Sequence, residues 1–395
     1  MRRKLTVLVL AATAGLAAVP VPAQAASWVA ATCGAALTTN SYLRADLTCA
    51  GPGLSFDVRG QSGYRTRSMV LDLRGHTLRA GPGSAGTAVT VAGPSTVSVT
   101  NGTIEGWDLG VRTVVGDPGE GLDVKRLTLD RLTLRANGKA LESSAFPFTT
   151  SPTPVVVDRS LFVGNGRGVV TEDGGPVSVD RSTFRENELA FWSNSAALSV
   201  SRSRLEDNAT VAQCAESSCT FTDNTFHTNG RAILAGVFTE ATVTGNVFSE
   251  NSTGYEQTSF ATGRLSRNHF SGNGTGVSMT DSTAVLEDNT FVKNGSAFVL
   301  QDVGFVDPVT TLSRNFFVQN RDGVYAPDGG ATLTSNTAAN NTGWGIYAPG
   351  STDGGGNVAY GNGESAQCVG VACAAPPVQC RSADTLVKIF ACIRR

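Results

Sequence analysis

Residues 224–229 read Asn-Thr-Phe-His-Thr-Asn, residues 246–251 read Asn-Val-Phe-Ser-Glu-Asn, and residues 268–273 read Asn-His-Phe-Ser-Gly-Asn. This six-residue pattern recurs between residues 160 and 362 and always ends on asparagine. The closing asparagines are Asn165, Asn187, Asn208, Asn229, Asn251, Asn273, Asn294, Asn320, Asn341 and Asn362. Successive intervals are 22, 21, 21, 22, 22, 21, 26, 21 and 21 residues. So constant a period predicts a solenoid in which each repeat forms one coil.

Each repeat combines short β-rich runs with turn residues and shows no helical periodicity. A run such as Val-Val-Val at 155–157 precedes the six-residue pattern, and Gly-Val-Val at 168–170 follows it. We therefore expect three brief strands per coil of 21–22 residues. About 13 such coils, stacked at about 4.8 Å, would form an all-β parallel β-helix roughly 60 Å long.

Stacking in register would place equivalent side chains in columns. The asparagines would then form a structural ladder of side-chain amides at a bend, where they also satisfy turn backbone groups. One apolar residue per coil would point into the core. These residues are Phe162, Phe184, Leu205, Phe226, Phe248, Phe270, Phe291 and Phe317.

Two other solenoids fit the pattern less well. A left-handed β-helix requires a hexapeptide period, and 21–22 residues is not a multiple of six. A leucine-rich repeat would tolerate this length, but its leucine frame is missing. Moreover, the residues after each asparagine are Gly, Val and Thr rather than helix formers.

The motif also resembles a known superfamily. Together with Leu-Asp-Leu-Arg-Gly-His-Thr-Leu at 71–78 and Val-Thr-Asn-Gly-Thr-Ile at 99–104, it looks like the pectate-lyase-like right-handed parallel β-helix proteins, and most like the NosD-like group of actinobacterial type. This resemblance implies a right-handed parallel β-helix. It leaves activity open, because the fold hosts lyases, hydrolases and proteins without catalysis. In the lyases of this fold an Arg or Lys acts as base beside Ca²⁺ held by Asp, and no residue here can be matched to that base.

The N-terminus has the features of a secretory signal. Arg2, Arg3 and Lys4 precede an apolar core at 5–19, and Ala-Gln-Ala at 23–25 offers a cleavage site. We therefore expect a signal peptide over 1–25 and a secreted, extracellular protein. The apolar core is too short for a stable membrane span.

The remaining chain divides into a solenoid and two caps. We expect an N-terminal cap over 26–54, the β-helix over 55–366, and a disulfide-rich C-terminal cap over 367–395. Ser382 could begin a short C-terminal capping helix over 383–393, with an apolar stripe. Caps of this kind cover the exposed core at the ends of a solenoid.

Charge and cysteine content narrow the function classes. Removing the three basic residues of the leader takes the formal charge from −2 to −5. A mildly acidic chain lacks the strongly basic composition that is typical of proteins that bind nucleic acids. Eight cysteines fit an oxidising compartment, and four local disulfides are the simplest pairing, although other pairings and a zinc site are alternatives. In that scheme the pairs are Cys33 with Cys49, Cys214 with Cys219, Cys368 with Cys373, and Cys380 with Cys392.

Candidate substrate-binding residues come from long turns and charged columns. The insertions at 114–124 and 141–154 are adjacent and could border a groove along the rod. Asp130, Asp158 and Asp180 form one predicted column and Arg131, Arg159, Arg181 and Arg202 the next, as either an ion-pair ladder or a substrate clamp. The candidates named on these grounds, with one aromatic residue, are Asp117, Glu120, Glu142, Arg159, Arg181 and Trp192.

Two further patterns have a chemical interpretation. Asp281, Asp302 and Asp328 each lie eight residues after a ladder asparagine. They are candidate Ca²⁺ ligands or glycosidase carboxylates, or ordinary turn residues. Separately, Trp192, Tyr325 and Tyr347 should point outward, where aromatic rings could stack on sugars.

No acid, base, nucleophile or certain cofactor can be assigned, so the catalytic residues are unknown. We expect an extracellular carbohydrate-binding or scaffold module whose partner is a polysaccharide or a cell-surface glycan. The alternative is a polysaccharide lyase or glycoside hydrolase. The sequence leaves the oligomeric state undetermined.

Overall fold

The computed structural model describes residues 28–57, 67–84, 86–114, 124–145, 153–301 and 309–376. Within these ranges the protein is an all-β parallel solenoid of about 12 turns. They contain no helix. None of the described segments could cross a membrane as a helix.

The strands belong to two parallel sheets, which we call the large sheet and the small sheet. The large sheet has 28 strands. They are Val29–Ala30, Ser41–Tyr42, Leu47–Cys49, Arg67–Asp72, Thr77–Ala80, Ser95–Glu105, Arg126–Arg135, Val155–Asp158, Leu161–Val163, Val177–Asp180, Thr183–Arg185, Ala197–Ser201, Arg204–Glu206, Ser218–Thr222, Thr225–His227, Glu240–Thr244, Val247–Ser249, Thr262–Ser266, His269–Ser271, Thr283–Glu287, Thr290–Val292, Thr310–Ser313, Phe316–Val318, Ala331–Thr334, Thr337–Ala339, Thr352–Asp353, Asn357–Tyr360 and Cys373–Ala374.

The small sheet has 14 strands, and each pairs with the equivalent strand of the next turn. They are Leu54–Asp57, Thr87–Ala92, Leu109–Val114, Lys139–Ser144, Arg167–Glu172, Leu189–Asn194, Thr210–Ala215, Arg231–Ala235, Thr253–Gln257, Thr275–Thr280, Ser296–Gln301, Asp322–Tyr325, Ile346–Tyr347 and Cys368–Val369.

The expectation of three separate strands in every coil does not hold. In two turns a single strand, Ser95–Glu105 or Arg126–Arg135, runs through the bend that interrupts the large sheet elsewhere. The reason is that pairing between these two strands resumes directly after the bend, where Leu132 pairs with Gly102. The described strands therefore form two sheets rather than three.

The asparagines stack directly on one another at the bend before the small sheet. Asn187 Nδ2 donates to Oδ1 of Asn208 at 2.9 Å and to the Phe162 carbonyl at 3.1 Å. The backbone N–H of Asn187 donates to the same Asn208 Oδ1 at 3.0 Å. Each buried side-chain amide thus forms hydrogen bonds with its own turn and with both neighbouring turns. Gln367 closes the column by accepting from Asn362 N at 2.9 Å.

A second polar column lies at the bend within the large sheet. Its members are Ser160, Ser182, Ser203, Asn224, Asn246, Asn268, Asn289, Asn315, Asn336 and Asn357. Asn246 Nδ2, for example, donates to Asn268 Oδ1 at 3.1 Å and to the Phe221 carbonyl at 2.9 Å. The chain therefore has two ladders, and both are buried.

The ladders fix an unusual backbone conformation. The residue before a ladder asparagine adopts a left-handed φ even when it is not glycine, as at Asp207 (φ 55°) and Glu250 (φ 58°). Such a conformation costs of order 1 kcal/mol or more for a side-chain-bearing residue. The amide bonds of the following asparagine hold the turn in place.

The core is a stack of phenylalanines. Rings of Phe226 and Phe248 lie 4.5 Å apart at 9°, and those of Phe248 and Phe270 lie 4.5 Å apart at 5°. All three are fully buried. Because one ring per turn meets the next nearly face to face, the apolar column continues along the rod.

Disulfides join Cys33 to Cys49, Cys214 to Cys219, and Cys368 to Cys373, which confirms three of the expected pairs. Residues in the expected N-terminal cap already pair with later turns, since Ser41 lies beside Leu71 and Leu47 beside Leu78. The fourth pair, Cys380 with Cys392, lies outside the described residues, as do the leader and the expected helix over 383–393.

Candidate functional site

The outward face of the small sheet carries an aromatic cluster near its C-terminal end. Tyr325 and Tyr347 occupy the same register position on adjacent strands, and their ring centroids lie 5.6 Å apart at 18°. The Trp344 ring lies 4.6 Å from that of Tyr347 at 43°. All three side chains are partly exposed. We call these three residues the aromatic platform.

Charged groups border the platform. Arg321 Nε donates to Asp322 Oδ2 at 2.9 Å, and Arg321 Nη2 donates to Ser296 Oγ at 3.0 Å. Together with Glu364, these residues and the platform edge enclose an open depression of about 430 Å³. The depression therefore combines apolar ring faces with donors and acceptors, which is the composition of a small-molecule or sugar site.

Asp322 holds the platform in position. Its Oδ1 accepts the backbone N–H of Trp344 at 3.0 Å, and its side chain is only 14% exposed. Gly343 permits this contact, because a Cβ atom there would lie 2.4 Å from Asp322 Oδ1. The backbone conformation before Trp344 thus depends on the Asp322 carboxylate and on glycine, which has no Cβ, at position 343.

A second depression of about 520 Å³ lies nearer the N-terminus, at the same corner of the rod. Asp108, Lys139, Arg167 and Glu188 line it. The Arg167 guanidinium lies over the Trp192 ring, 5.7 Å from its centroid. This places Trp192 beside a residue that lines the depression, six strands away from Tyr325.

Arg159 and Arg181 belong to an interleaved ion-pair ladder on the large sheet. Arg159 pairs with Asp130 (Nη2–Oδ1, 2.8 Å) and Asp158 (Nε–Oδ2, 3.0 Å), and Arg181 with Asp158 (Nη2–Oδ1, 2.9 Å). The hydrogen bond to Asp130 raises the pKa of Arg159. Neither arginine is among the residues that line the two depressions.

The ladder ends at Arg202, which pairs with Asp180 (Nη2–Oδ2, 2.7 Å). Its hydrogen bond lowers the pKa of the Asp180 carboxyl and raises the pKa of Arg202. These groups neutralise one another from turn to turn, as an ion-pair ladder would.

Of the three remaining candidate substrate-binding residues, the structure describes one. Glu142 lies on the outward face of the small sheet and pairs with Arg112 (Nε–Oε2, 3.5 Å) and with Lys139. Through Lys139 it adjoins the N-terminal depression. Asp117 and Glu120 lie outside the described residues.

The three candidate calcium ligands cannot be assembled from the described residues. Asp281 is 5% exposed, has a left-handed φ of 44°, and accepts the Phe260 N–H through its backbone carbonyl at 2.9 Å. Asp328 is exposed, and Asp302 lies outside the described ranges. Those ranges contain no group of three or more His, Cys, Asp or Glu that could hold a metal ion. Calcium binding stays a prediction.

An exposed aromatic pair lies on a different corner. Phe238 is 65% and Phe260 46% exposed, and their rings lie 5.6 Å apart. Both residues have left-handed φ angles, 48° and 62°. They lie 22 residues apart, one repeat of the solenoid, whereas the equivalent positions of the neighbouring turns carry Glu216 and Asp281.

Sequence reasoning named Tyr325 and Tyr347 but missed Trp344, Arg321 and Glu364. The available signal was the run Gly-Trp-Gly-Ile-Tyr at 343–347, where other turns carry one small residue and an apolar pair. It could not show that these residues meet, because their contact depends on the pairing of adjacent strands.

Comparisons with known proteins concern the fold. A family model described as "Right handed beta helix region" matches residues 188–338. No curated protein matches the sequence.

Solved structures give distant likenesses. The A-module of the mannuronan C-5 epimerase AlgE6 of Azotobacter vinelandii is similar at 15% identity and a TM-score of 0.47, over 86% of this chain and 91% of that one. A double mutant of the periplasmic alginate epimerase AlgG is similar at 12% identity and a TM-score of 0.43, over 75% and 74% of the two chains. Identities and TM-scores this low carry no inference about activity.

Proposed function

We propose that this protein is an exported, non-catalytic module that binds a glycan on the outward face of the small sheet. The observation that carries the proposal is the aromatic platform beside Arg321, Asp322 and Glu364. Export is supported by the leader-like N-terminus and by three disulfides. The resemblance of the sequence to the NosD-like group of exported proteins also supports export.

The chemistry of the platform matches that of a sugar. A pyranose ring presents C–H groups on its faces and hydroxyl groups around its edge. The rings of Tyr325 and Trp344, which line the depression, offer apolar carbon surface, while Arg321 and Glu364 offer a donor and an acceptor. Since the rings are held by strand pairing and by Asp322, little side-chain entropy is lost when a ligand binds.

Asp322, one of the two carboxylates that line the depression, already accepts hydrogen bonds from the Trp344 N–H and from Arg321 Nε. It therefore has a positioning role in the platform, which fits a binding site.

The test is calorimetric titration of the full chain with soluble polysaccharides, together with assays for new reducing ends and unsaturated products. We expect saturable binding with no product. Tyr347→Ala should weaken binding about tenfold, because it removes the ring against which Tyr325 and Trp344 pack. Phe238→Ala removes an exposed ring on another corner and should leave binding unchanged. Product formation, or equal effects of the two variants, would refute the proposal.

A further inference from the structure

The two depressions lie along one edge of the small sheet, because Lys139 and Arg167 share a register column with Ser296 and Asp322. Strand register places Trp192 and Tyr325 in the same outward column, and the residues along it are Trp192, Gln213, Leu234, Glu256, Ser278, Val299, Tyr325 and Tyr347. Six strand steps separate Trp192 from Tyr325, which amounts to about 29 Å at a spacing of about 4.8 Å. Aromatic rings therefore mark both ends of one axial track.

Between these ends the track carries one ion pair and otherwise uncharged side chains. The parallel column beside it carries Thr210, Thr253, Thr275 and Ser296. Its one cation, Arg231, is neutralised by Glu256, with Nε and Oε2 2.7 Å apart. Small polar residues leave room for a chain to lie along the track and offer hydroxyls to it.

The two ends do not favour an anionic chain. At the N-terminal end, Lys139 and Arg167 are balanced by Asp108 and Glu188. At the C-terminal end, Arg321 is outnumbered by Asp322 and Glu364. A polymer with one negative charge per unit would thus find no net attraction at either end.

We propose that the ligand is one unbranched chain of neutral sugars that lies parallel to the rod axis and contacts both ends of the track. The inference rests on the proposed function and adds the ligand's charge, direction and length. A pyranose unit extends a chain by roughly one strand spacing, so successive sugars can meet equivalent positions on successive turns. Simultaneous contact at both ends makes affinity depend on chain length.

The experiment is calorimetric titration of the full chain with three neutral polymers and two acidic ones. The neutral probes are three unbranched polymers, mixed-linkage β-glucan, glucomannan and pullulan, each with its tetrasaccharide, and the acidic probes are polygalacturonate and alginate. We expect at least one neutral polymer to bind about tenfold or more tightly than its tetrasaccharide. The acidic polymers should bind more weakly than that neutral polymer.

Variants at the two ends test the shared track. Trp192→Ala should weaken polymer binding about tenfold while leaving the tetrasaccharide, which binds the platform, unaffected. Tyr347→Ala should weaken both ligands, and Phe238→Ala neither. Preference for an acidic polymer, or polymer binding that Trp192→Ala leaves unchanged, overturns the inference while glycan binding stands. Absence of binding to all five polymers overturns the proposed function as well.

Discussion

Asn251 Nδ2 donates to Oδ1 of Asn273, one turn further along the rod, at 2.9 Å. Asn251 Oδ1 in turn accepts both the backbone N–H and the Nδ2 of Asn229, each at 2.9 Å. Each buried amide is therefore both donor and acceptor in a continuous column, and the loss of one member affects two turns.

Asn251→Ala should destabilise the protein by about 3 kcal/mol, because the two donors of Asn229 and the Phe226 carbonyl lose buried partners. Urea unfolding followed by circular dichroism measures the change. Ser278→Ala, on the outward face of the same part of the rod, serves as control and should change stability by less than about 0.5 kcal/mol. Similar losses in both variants would show that the ladder is not what holds the turns.

Substitution in the phenylalanine stack should depend on shape. Phe248→Ala leaves a cavity between Phe226 and Phe270 and should cost about 3–5 kcal/mol. Phe248→Leu should cost less than about 1.5 kcal/mol. The column already accommodates a leucine, since Leu205 fills the equivalent position between Phe184 and Phe226. Equal unfolding free energies for the two variants would contradict a packed stack.

The ion-pair ladder should stabilise the protein at neutral pH and not in acid. Because Arg202 lowers the folded-state pKa of Asp180, its contribution is present above the unfolded pKa of about 3.9 and is lost as pH falls through the folded pKa. Asp180→Asn should therefore lower the thermal midpoint slightly at about pH 6, and the difference should vanish in strong acid. Salt near 1 M should reduce it too. A difference that persists in acid would assign the effect to something other than charge.

Gly343→Ala tests how the aromatic platform is held. The added Cβ would meet Asp322 Oδ1 at 2.4 Å and the Arg321 carbonyl at 3.1 Å, so the Asp322 carboxylate must shift and its hydrogen bond with the Trp344 N–H is weakened. We expect an altered near-ultraviolet circular dichroism spectrum and weaker glycan binding, with the thermal midpoint nearly retained. Asp322→Asn keeps an acceptor for the Trp344 N–H and should perturb the spectrum less. If the alanine variant keeps the wild-type spectrum, the position of Trp344 does not depend on this contact.

Much of the fold could be predicted from the sequence, because equivalent positions in every coil of a solenoid require the same kinds of residue. The spacing of Asn229 and Asn251 predicts a column, and the third position of each pattern predicts the core at Phe226 and Phe248. The column at Asn224 and Asn246 was equally periodic, five residues earlier in each turn, but only the hydrogen bonds identify it as a second ladder.

The sequence by itself determined the repeat and the inward stack, because each follows from residues at a constant interval, and it gave the three observed disulfides as the simplest pairing of cysteines close along the chain. The positions of the aromatic platform and of Trp192 relative to it, in contrast, were decided only by the tertiary structure. Strand register brings Tyr325 against Tyr347 and aligns Trp192 with them at a distance, while the turn at Gly343 brings Trp344 to the same place. Outward residues have no core to fill, so their identities change from turn to turn even where equivalent positions recur, and their contacts depend on which strands lie side by side.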